Sequence, residues 1–246
     1  MSAGCRLARA GPLRSMDSGI VGSLRAVEAE HARRANDPDL QAKVRALKRY
    51  QQRRLEWTYR DLIASPRYGK AAGFFLVDLY GPVDFQRRDR EFARIVPKIE
   101  AIFPANVVAT VDELARLHAL SETLDSAMAA ALDTLAVDPG TYARAWRLVA
   151  CKAERRVQLE LVLSVGAALD RLAQKPWLHR TLKLMRGPAR MADLSELQAF
   201  LERGLTCFGS MKGAAAFLAI IEAREHALME ALFEGTTNAL DELPAA

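Results

Sequence analysis

Apolar residues recur every three or four positions along almost the whole chain, and this spacing constrains the fold more than any other feature. A helical segment with that spacing presents one apolar face to a core. Short stretches rich in Pro, Gly, Asn and Asp separate the periodic segments, as helix ends require. No alternating strand pattern with hairpin turns occurs, so the sequence predicts an all-α fold. We expect about nine helices: Val21–Arg34, Leu40–Ala64, Tyr68–Tyr80, Phe85–Phe103, Val107–Leu135, Tyr142–Leu172, Trp177–Met185, Leu194–Phe208 and Ala214–Phe233.

Length and composition indicate a globular chain of one large domain or two small ones. The chain has 246 residues, of which 50% are hydrophobic and 26% charged, so fibrous and disordered classes are excluded. We expect a single helical domain over residues 17–236, a disordered extension over 1–16 and a disordered tail over 237–246. Met16 is an alternative start. The first residues lack the apolar core of a signal peptide and no run reaches the ~18 residues of a membrane span, so we expect a cytoplasmic protein.

Positive charge is concentrated near the N-terminus. Residues 1–64 hold 13 Lys and Arg against 7 Asp and Glu, whereas the remaining residues hold 22 against 23. Most of the excess lies on residues 40–64, which read as an amphipathic helix with a basic outer face. That face is either solvated or contacts an acidic protein, phosphates or anionic lipid. No Gly-rich or RNP-like segment accompanies it, so nucleic-acid binding is disfavoured.

The segment Tyr142–Leu172 is expected to form the central long helix of the bundle. Its second half, residues 159–169, is apolar on nearly all sides, as a buried helix requires. Glu160 lies in that half, and an ionised carboxylate there would need a partner or a raised pKa. Val107–Leu135 is its expected packing neighbour.

Residues 74–89 read FFLVDLYGPVDFQRRD and predict a corner between two short helices. Gly81 suits the left-handed end of the first helix, and Asp84 suits the cap of the next. Asp78 would meet an arginine of that next helix. The corner is either a packing element or the wall of a ligand pocket. The residues assigned to it are Phe74, Phe75, Asp78, Tyr80, Asp84, Arg87, Arg88 and Arg94.

The same stretch resembles the bacterial FFLEELY-motif proteins, an uncharacterised family. Phe74, Phe75, Leu76, Leu79 and Tyr80 match the motif, Val77 replaces its first acid and Asp78 shortens the second. A second block, LMRGPARMADLSELQAFLERGLTCFGSMKGAAAFLAIIEARE, is similar to the C-terminal half of that family. The resemblance covers most of residues 40–235. It implies a helical fold and a bacterial source, and it implies no activity.

The sequence supplies no complete catalytic or metal-binding pattern. Di-iron bundles need two Glu-x-x-His pairs, and only Glu28 with His31 has that spacing. Phosphate-binding glycine patterns and a GxSxG nucleophile are missing, and the three cysteines share no CxxC spacing. We therefore expect neither a cofactor nor a metal. A metal site of a different geometry is conceivable from Glu160, His118, Glu122, Glu222 and His226.

Two functions remain open at this point. The first is a non-enzymatic interaction or regulatory module that contacts a partner through the basic helix or the aromatic corner. The alternative is a helical enzyme or small-ligand carrier with an internal polar cluster, which could be metal-dependent. The cluster would consist of Glu160, Glu222, Arg224 and Glu225, and Glu222 or Glu225 would pair with Arg155 or Arg156.

Overall fold

The computed structural model describes residues 19–79, 86–237 and 240, and every regular element within them is helical. The predicted all-α fold is confirmed, with eleven α-helices in the described residues where the sequence predicted about nine. A π-helical turn, Phe75–Leu79, follows the fourth helix. The α-helices are α1 (Ile20–Ala35), α2 (Pro38–Thr58), α3 (Arg60–Ala64), α4 (Gly69–Phe74), α5 (Gln86–Ile102), α6 (Ala105–Ala130), α7 (Pro139–Val149), α8 (Lys152–Ala173), α9 (Pro176–Met191), α10 (Ser195–Ser210) and α11 (Ala215–Glu234).

Two of the predicted helices are divided. The helix expected over 40–64 is interrupted at Tyr59, between α2 and α3. The prediction of one continuous helix over 142–172 is wrong, because Ala150 takes a left-handed backbone with φ 52° and α8 begins only at Lys152. A left-handed residue turns the chain out of the helical path, and glycine is the usual residue there. An alanine at this position gives no sequence signal of the break.

Helix α9 extends beyond Met185, where the sequence predicted its end, and continues through the Gly187-Pro188 pair. Proline removes the hydrogen bond to the carbonyl four residues earlier, which here belongs to Leu184. Leu184 is 79% exposed and Pro188 is also exposed, so water can bind the carbonyl that loses its donor. The helix therefore tolerates the proline on its outer side and extends to Met191.

Helices α6 and α8 occupy the middle of the bundle. Helix α6 contacts α1, α2, α5, α7 and α8, and α8 also contacts α9, α10 and α11. The expected packing of these two segments against each other is thus observed. On α6, Leu117, Leu124 and Met128 are buried. The other helices therefore pack around α6 and α8.

The aromatic residues of α4 and the π-helical turn pack into that interior. The Phe74 ring is 5% exposed and lies 5.4 Å from the Phe200 ring, centroid to centroid. Phe75 lies 5.8 Å from Phe208 in the same way. A Cβ at Gly204 would come within 3.0 Å of the Phe74 ring, so the glycine permits the close approach of α4 and α10.

Candidate functional site: an internal cavity with a polar patch

A cavity of about 390 Å³ lies inside the bundle, and residues from all eleven helices line it. Small-molecule sites are commonly cavities of ~300 to 1,000 Å³ with a mostly apolar lining and a few polar groups. The wall of this cavity is mostly apolar, and includes Phe75 of the π-helical turn, Val165 of α8 and Leu182 of α9. The cavity therefore has the size and the surface of a small-molecule site.

Several polar side chains interrupt the apolar wall, among them Lys48, His118 and Glu122. Those from α2, α7, α8 and α11 near the two unpartnered donors described below are together called the polar patch here: Arg54, Trp146, Arg155, Gln158 and Glu225. Arg54 Nη1 donates a hydrogen bond to Glu225 Oε1. The Arg155 guanidinium lies 4.1 Å above the Trp146 indole and donates to Gln158 Oε1 at 2.9 Å. These contacts join α2 to α11 and α7 to α8 across the cavity wall.

Tyr142 connects the two halves of the polar patch. Its ring centroid lies 5.9 Å from that of Trp146, and the residue interacts electrostatically with Arg54. Burial raises the pKa of the Tyr142 phenol, so the ring stays neutral at physiological pH. Burial acts to lower the pKa of Arg54, but the Glu225 carboxylate more than offsets that effect and the pKa is raised. The patch therefore keeps a guanidinium cation and a neutral phenol.

Two N–H groups of the polar patch have no acceptor among the described residues: Nε of Arg54 and Nε1 of Trp146. Both atoms are buried, and Arg54 as a whole is 8% exposed. A buried donor without a partner destabilises a protein by about 1–3 kcal/mol, and nearly all such donors in proteins are paired. Both side chains line the cavity, but the two nitrogen atoms themselves have almost no accessible surface, so a molecule in the cavity reaches them only after a small movement of these side chains.

A second group of buried charges, called the Glu122 cluster here, lies between α1, α2 and α6. The Glu122 carboxylate accepts hydrogen bonds from Arg34 Nη1 and from Lys48 Nζ. Arg34 also donates through Nε to Ser126 Oγ at 2.8 Å, and through Nη2 to the Glu122 carbonyl oxygen at 2.6 Å. His31 Nε2 lies 3.8 Å from the carboxylate. The Glu122 cluster ties three helices together.

Burial and the charges of the cluster act in opposite directions on its titratable groups. Burial favours a raised pKa for Glu122, but Lys48 and Arg34 outweigh it and the pKa lies well below its usual range. Burial lowers the pKa of His31, although Glu122 opposes the effect. At neutral pH the cluster therefore holds an ionised carboxylate beside a neutral imidazole.

The residues considered for a metal site are not brought together. Glu160, Glu222 and His226 are exposed, whereas Glu122 is buried in its cluster. His118 Nε2 instead lies 3.0 Å from Asp89 Oδ2. In the part of the chain that the structure describes, no group of three or more His, Cys, Asp or Glu residues is placed to hold a metal ion.

Glu160 is exposed, so the prediction of a carboxylate buried in a central helix is wrong. It shares an exposed face of α8 with Ser164 and Arg171, and the apolar residues around it cover only the inner side of the helix. The acids that are buried lie on other helices. In the described residues they are Glu91, Glu122 and Asp125.

The predicted polar cluster of the C-terminal helix divides between two partners on the N-terminal helices. Arg224 donates to both carboxylate oxygens of Asp61, at 2.7 and 2.8 Å. That hydrogen bond lowers the pKa of Asp61 to about 2. Glu225 accepts from Arg54, a partner that the sequence did not suggest. Arg156, which was considered for this role, pairs with Glu230.

The described part of the FFLVDLY corner, residues 74–78, contacts the rest of the bundle and contributes to the cavity wall. Phe74 and Phe75 line the cavity. Asp78 accepts from Arg203 of α10, and Arg94 donates to the Ala192 carbonyl oxygen at 2.7 Å. The remaining residues assigned to the corner lie outside the described residues or, on α5, have side chains outside the description: Tyr80, Asp84, Arg87 and Arg88.

The sequence spacing around Arg54 indicates that its side chain is buried, although the prediction assigned it to the basic outer face. Arg54 follows Leu47 by seven residues and Tyr50 by four, which places it on the apolar stripe of α2 rather than on the basic outer face. Lys48 also turns inward, to Glu122. The prediction of an outward basic face holds for Arg45, Arg49 and Arg53, which are exposed, and is wrong for Lys48 and Arg54.

Fold and cavity together define the class of this protein: an all-α bundle whose helices enclose a mostly apolar chamber with a polar patch. The chain belongs to the family described as a domain of unknown function, DUF8198, whose model matches residues 30–239. No curated protein and no solved structure matches the chain. The match covers α2 to α11 completely, and so takes in both halves of the polar patch.

Within the described residues, no single helix is long and apolar enough to cross a membrane. Only α10 and α11 taken together reach the required length and composition, and they are bent by 103° where they join.

Proposed function

We propose that this protein binds a small, largely apolar organic molecule that carries a hydrogen-bond acceptor. The observation that supports the proposal is the pair of buried, unpartnered donors, Arg54 Nε and Trp146 Nε1, in the wall of a 390 Å³ cavity. A carbonyl, ester or carboxylate oxygen that accepts from either donor would remove the energetic penalty which that donor carries without a partner.

The cavity limits the size and polarity of that molecule. A volume of 390 Å³ lies near the lower end of the ~300–1,000 Å³ that small-molecule sites commonly span, so the molecule is small. Most of its atoms would contact apolar side chains such as Val165 and Leu182, and only the acceptor group would reach the polar patch. A compact apolar molecule with one polar end meets both conditions.

This proposal takes up the ligand-carrier alternative but relocates its residues. Two observations weaken the alternative in which the protein contacts a partner through the aromatic corner or the basic helix. Phe74 of the corner is buried, and Lys48 and Arg54 of the basic helix point inward. Arg45, Arg49 and Arg53 are exposed, so binding of an acidic partner to this part of α2 stays a separate prediction. The FFLEELY-type family resemblance, a bacterial source, a single domain over 17–236 and a cytoplasmic location also stay predictions.

Extraction of the purified full chain with organic solvent, followed by mass spectrometry, tests the proposal. We expect a stoichiometric small molecule from the wild type. Val165→Phe places a ring in the cavity and should abolish that yield, whereas Val157→Phe makes the same change on a 39% exposed residue of the same helix and should retain it.

Trp146→Phe removes one donor but keeps an aromatic ring under Arg155. We expect the ligand to be retained at lower occupancy, since one hydrogen bond is lost and the apolar contacts remain. An empty extract from folded wild-type protein, or an equal yield from Val165→Phe and Val157→Phe, would refute the proposal.

A further inference from the structure

Helix α9 has an outer face that combines exposed apolar side chains with cations. Trp177 is 41% exposed, Leu184 79% and Met191 91%. Their spacing of seven places all three within about 40° of one another around the helix. The opposite side of α9 is buried in the bundle through Leu178, Leu182 and Ala189. The α9 outer face consists of Trp177, Arg180, Lys183, Leu184, Arg190 and Met191.

The cations of this face are only partly compensated by acids in the described part of the chain. Arg180, Lys183 and Arg190 are exposed and follow one side of the apolar stripe, and no hydrogen-bonded ion pair joins them to a described residue. Glu202 of α10 pairs with Arg186, and Lys183 lies close enough to Glu202 to help lower its pKa. Helix α9 itself contains no Asp or Glu. The face therefore carries a net positive field beside an apolar surface.

We propose that the α9 outer face docks on an anionic lipid surface. Helices that lie in a membrane interface place Trp and Leu toward the acyl chains and Lys or Arg toward the headgroups. Trp177 suits the headgroup level, where its indole can meet both environments. Leu184 and Met191 supply the apolar contact, and Arg180, Lys183 and Arg190 meet the anionic headgroups.

Charge and apolarity together favour lipid over other anionic partners. A nucleic-acid backbone or an acidic protein surface would satisfy the cations but would leave Leu184 and Met191 without an apolar partner. The basic face of α2 provides an internal comparison, because Arg45, Arg49 and Arg53 are exposed without a comparable apolar stripe beside them. This proposal does not depend on the cavity, and filling the cavity should leave docking unchanged.

Co-sedimentation with vesicles tests the docking of the full chain. We expect the protein to pellet with vesicles of phosphatidylcholine mixed with phosphatidylglycerol, to stay in solution with phosphatidylcholine alone, and to be released as salt is raised. The triple variant Arg180→Gln, Lys183→Gln, Arg190→Gln should weaken binding about 100-fold, at roughly fivefold per cation. The matched triple variant Arg45→Gln, Arg49→Gln, Arg53→Gln should bind as the wild type does.

The apolar contribution is tested with Leu184→Ser combined with Met191→Ser, which should weaken binding about tenfold or more. Leu135→Ser with Leu148→Ser changes two other exposed apolar residues, 54% and 41% exposed, and should have no effect. All these side chains are exposed, so the variants should have the same melting temperature as the wild type. A blue shift of tryptophan fluorescence on vesicles should disappear in Trp177→Phe.

Three results would overturn the proposal. One is the absence of sedimentation with the anionic vesicles. Another is an equal loss of binding in the α2 triple variant. The third is binding that needs the α9 cations but not Leu184 and Met191, because charge attraction alone would not distinguish a lipid surface from an acidic protein or a nucleic acid. Val165→Phe should pellet as the wild type does, so a failure of docking is distinguishable from a failure of ligand binding.

Discussion

Replacing Glu122 by Gln tests how much the buried charges of the Glu122 cluster stabilise the bundle. The side chains of Glu122 and Arg34 are 5% and 8% exposed, and that of Lys48 is 19% exposed. Removing one partner from a buried ion pair costs about 3–5 kcal/mol, because the opposite charge stays buried without compensation. Gln keeps the shape and an acceptor oxygen, and Arg34 keeps its bonds to Ser126 and to the backbone.

We therefore expect Glu122→Gln to lower the free energy of unfolding by about 3 kcal/mol, the lower end of that range. For a chain of this length the loss corresponds to a fall of about 6–12 °C in the melting temperature. Urea unfolding followed by circular dichroism measures the free energy, and calorimetry measures the melting temperature.

The matched control is Glu202→Gln on the surface. Glu202 also pairs with an arginine, Arg186, but these side chains are 22% and 62% exposed. Exposed pairs contribute about 0–1 kcal/mol, so this variant should stay close to the wild type. Replacing Arg34, Lys48 and Glu122 together by Met should recover most of the loss, because no buried charge of the trio remains. Equal stabilities of Glu122→Gln and Glu202→Gln would refute the reasoning.

Further predictions concern pH, the cavity and the surface. The folded-state pKa of Glu122 lies below its ordinary value of 4.5 and that of His31 below 6.5, so unfolding takes up protons. Stability should fall as the pH drops below about 6.5 and again below about 4.5, and urea midpoints across this range would show no fall if the shifts were absent. Val149 is buried outside the cavity, so Val149→Phe should overpack the core and lower the free energy of unfolding by about 1–3 kcal/mol. Val165 lines the cavity, so Val165→Phe should lower it by less. Equal decreases for the two variants in urea unfolding would contradict a cavity beside Val165. Asp61→Asn should lose no more than about 1 kcal/mol by the same measurement, because its ion pair is exposed, and a larger loss would contradict that assignment.

Helix positions were predictable where the chain carries local signals. Asp37 precedes Pro38 and caps α2 by accepting from the Leu40 N–H at 3.0 Å. Asp138 and Thr141 form a capping box at the start of α7. Both ends are encoded by a short side chain followed by a proline. The break at Ala150 carries no such signal, because its left-handed backbone falls on an alanine rather than on a glycine or asparagine.

The candidate site was predictable only in part. Periodicity shows which residues share a face of one helix, but it does not show which helices that face meets. Glu160 stood out within an apolar segment and proved exposed, whereas Arg54 looked like part of a basic surface and proved buried against Glu225. A cavity is space left by all eleven helices, so no motif encodes it.

A crystal structure of the full chain, purified without organic solvent, would show whether the cavity holds a ligand. We expect continuous density for a small organic molecule in the cavity, with an acceptor atom within about 3.2 Å of Arg54 Nε or Trp146 Nε1. An empty cavity, or one in which only water molecules bond to these two donors, would contradict the proposed function.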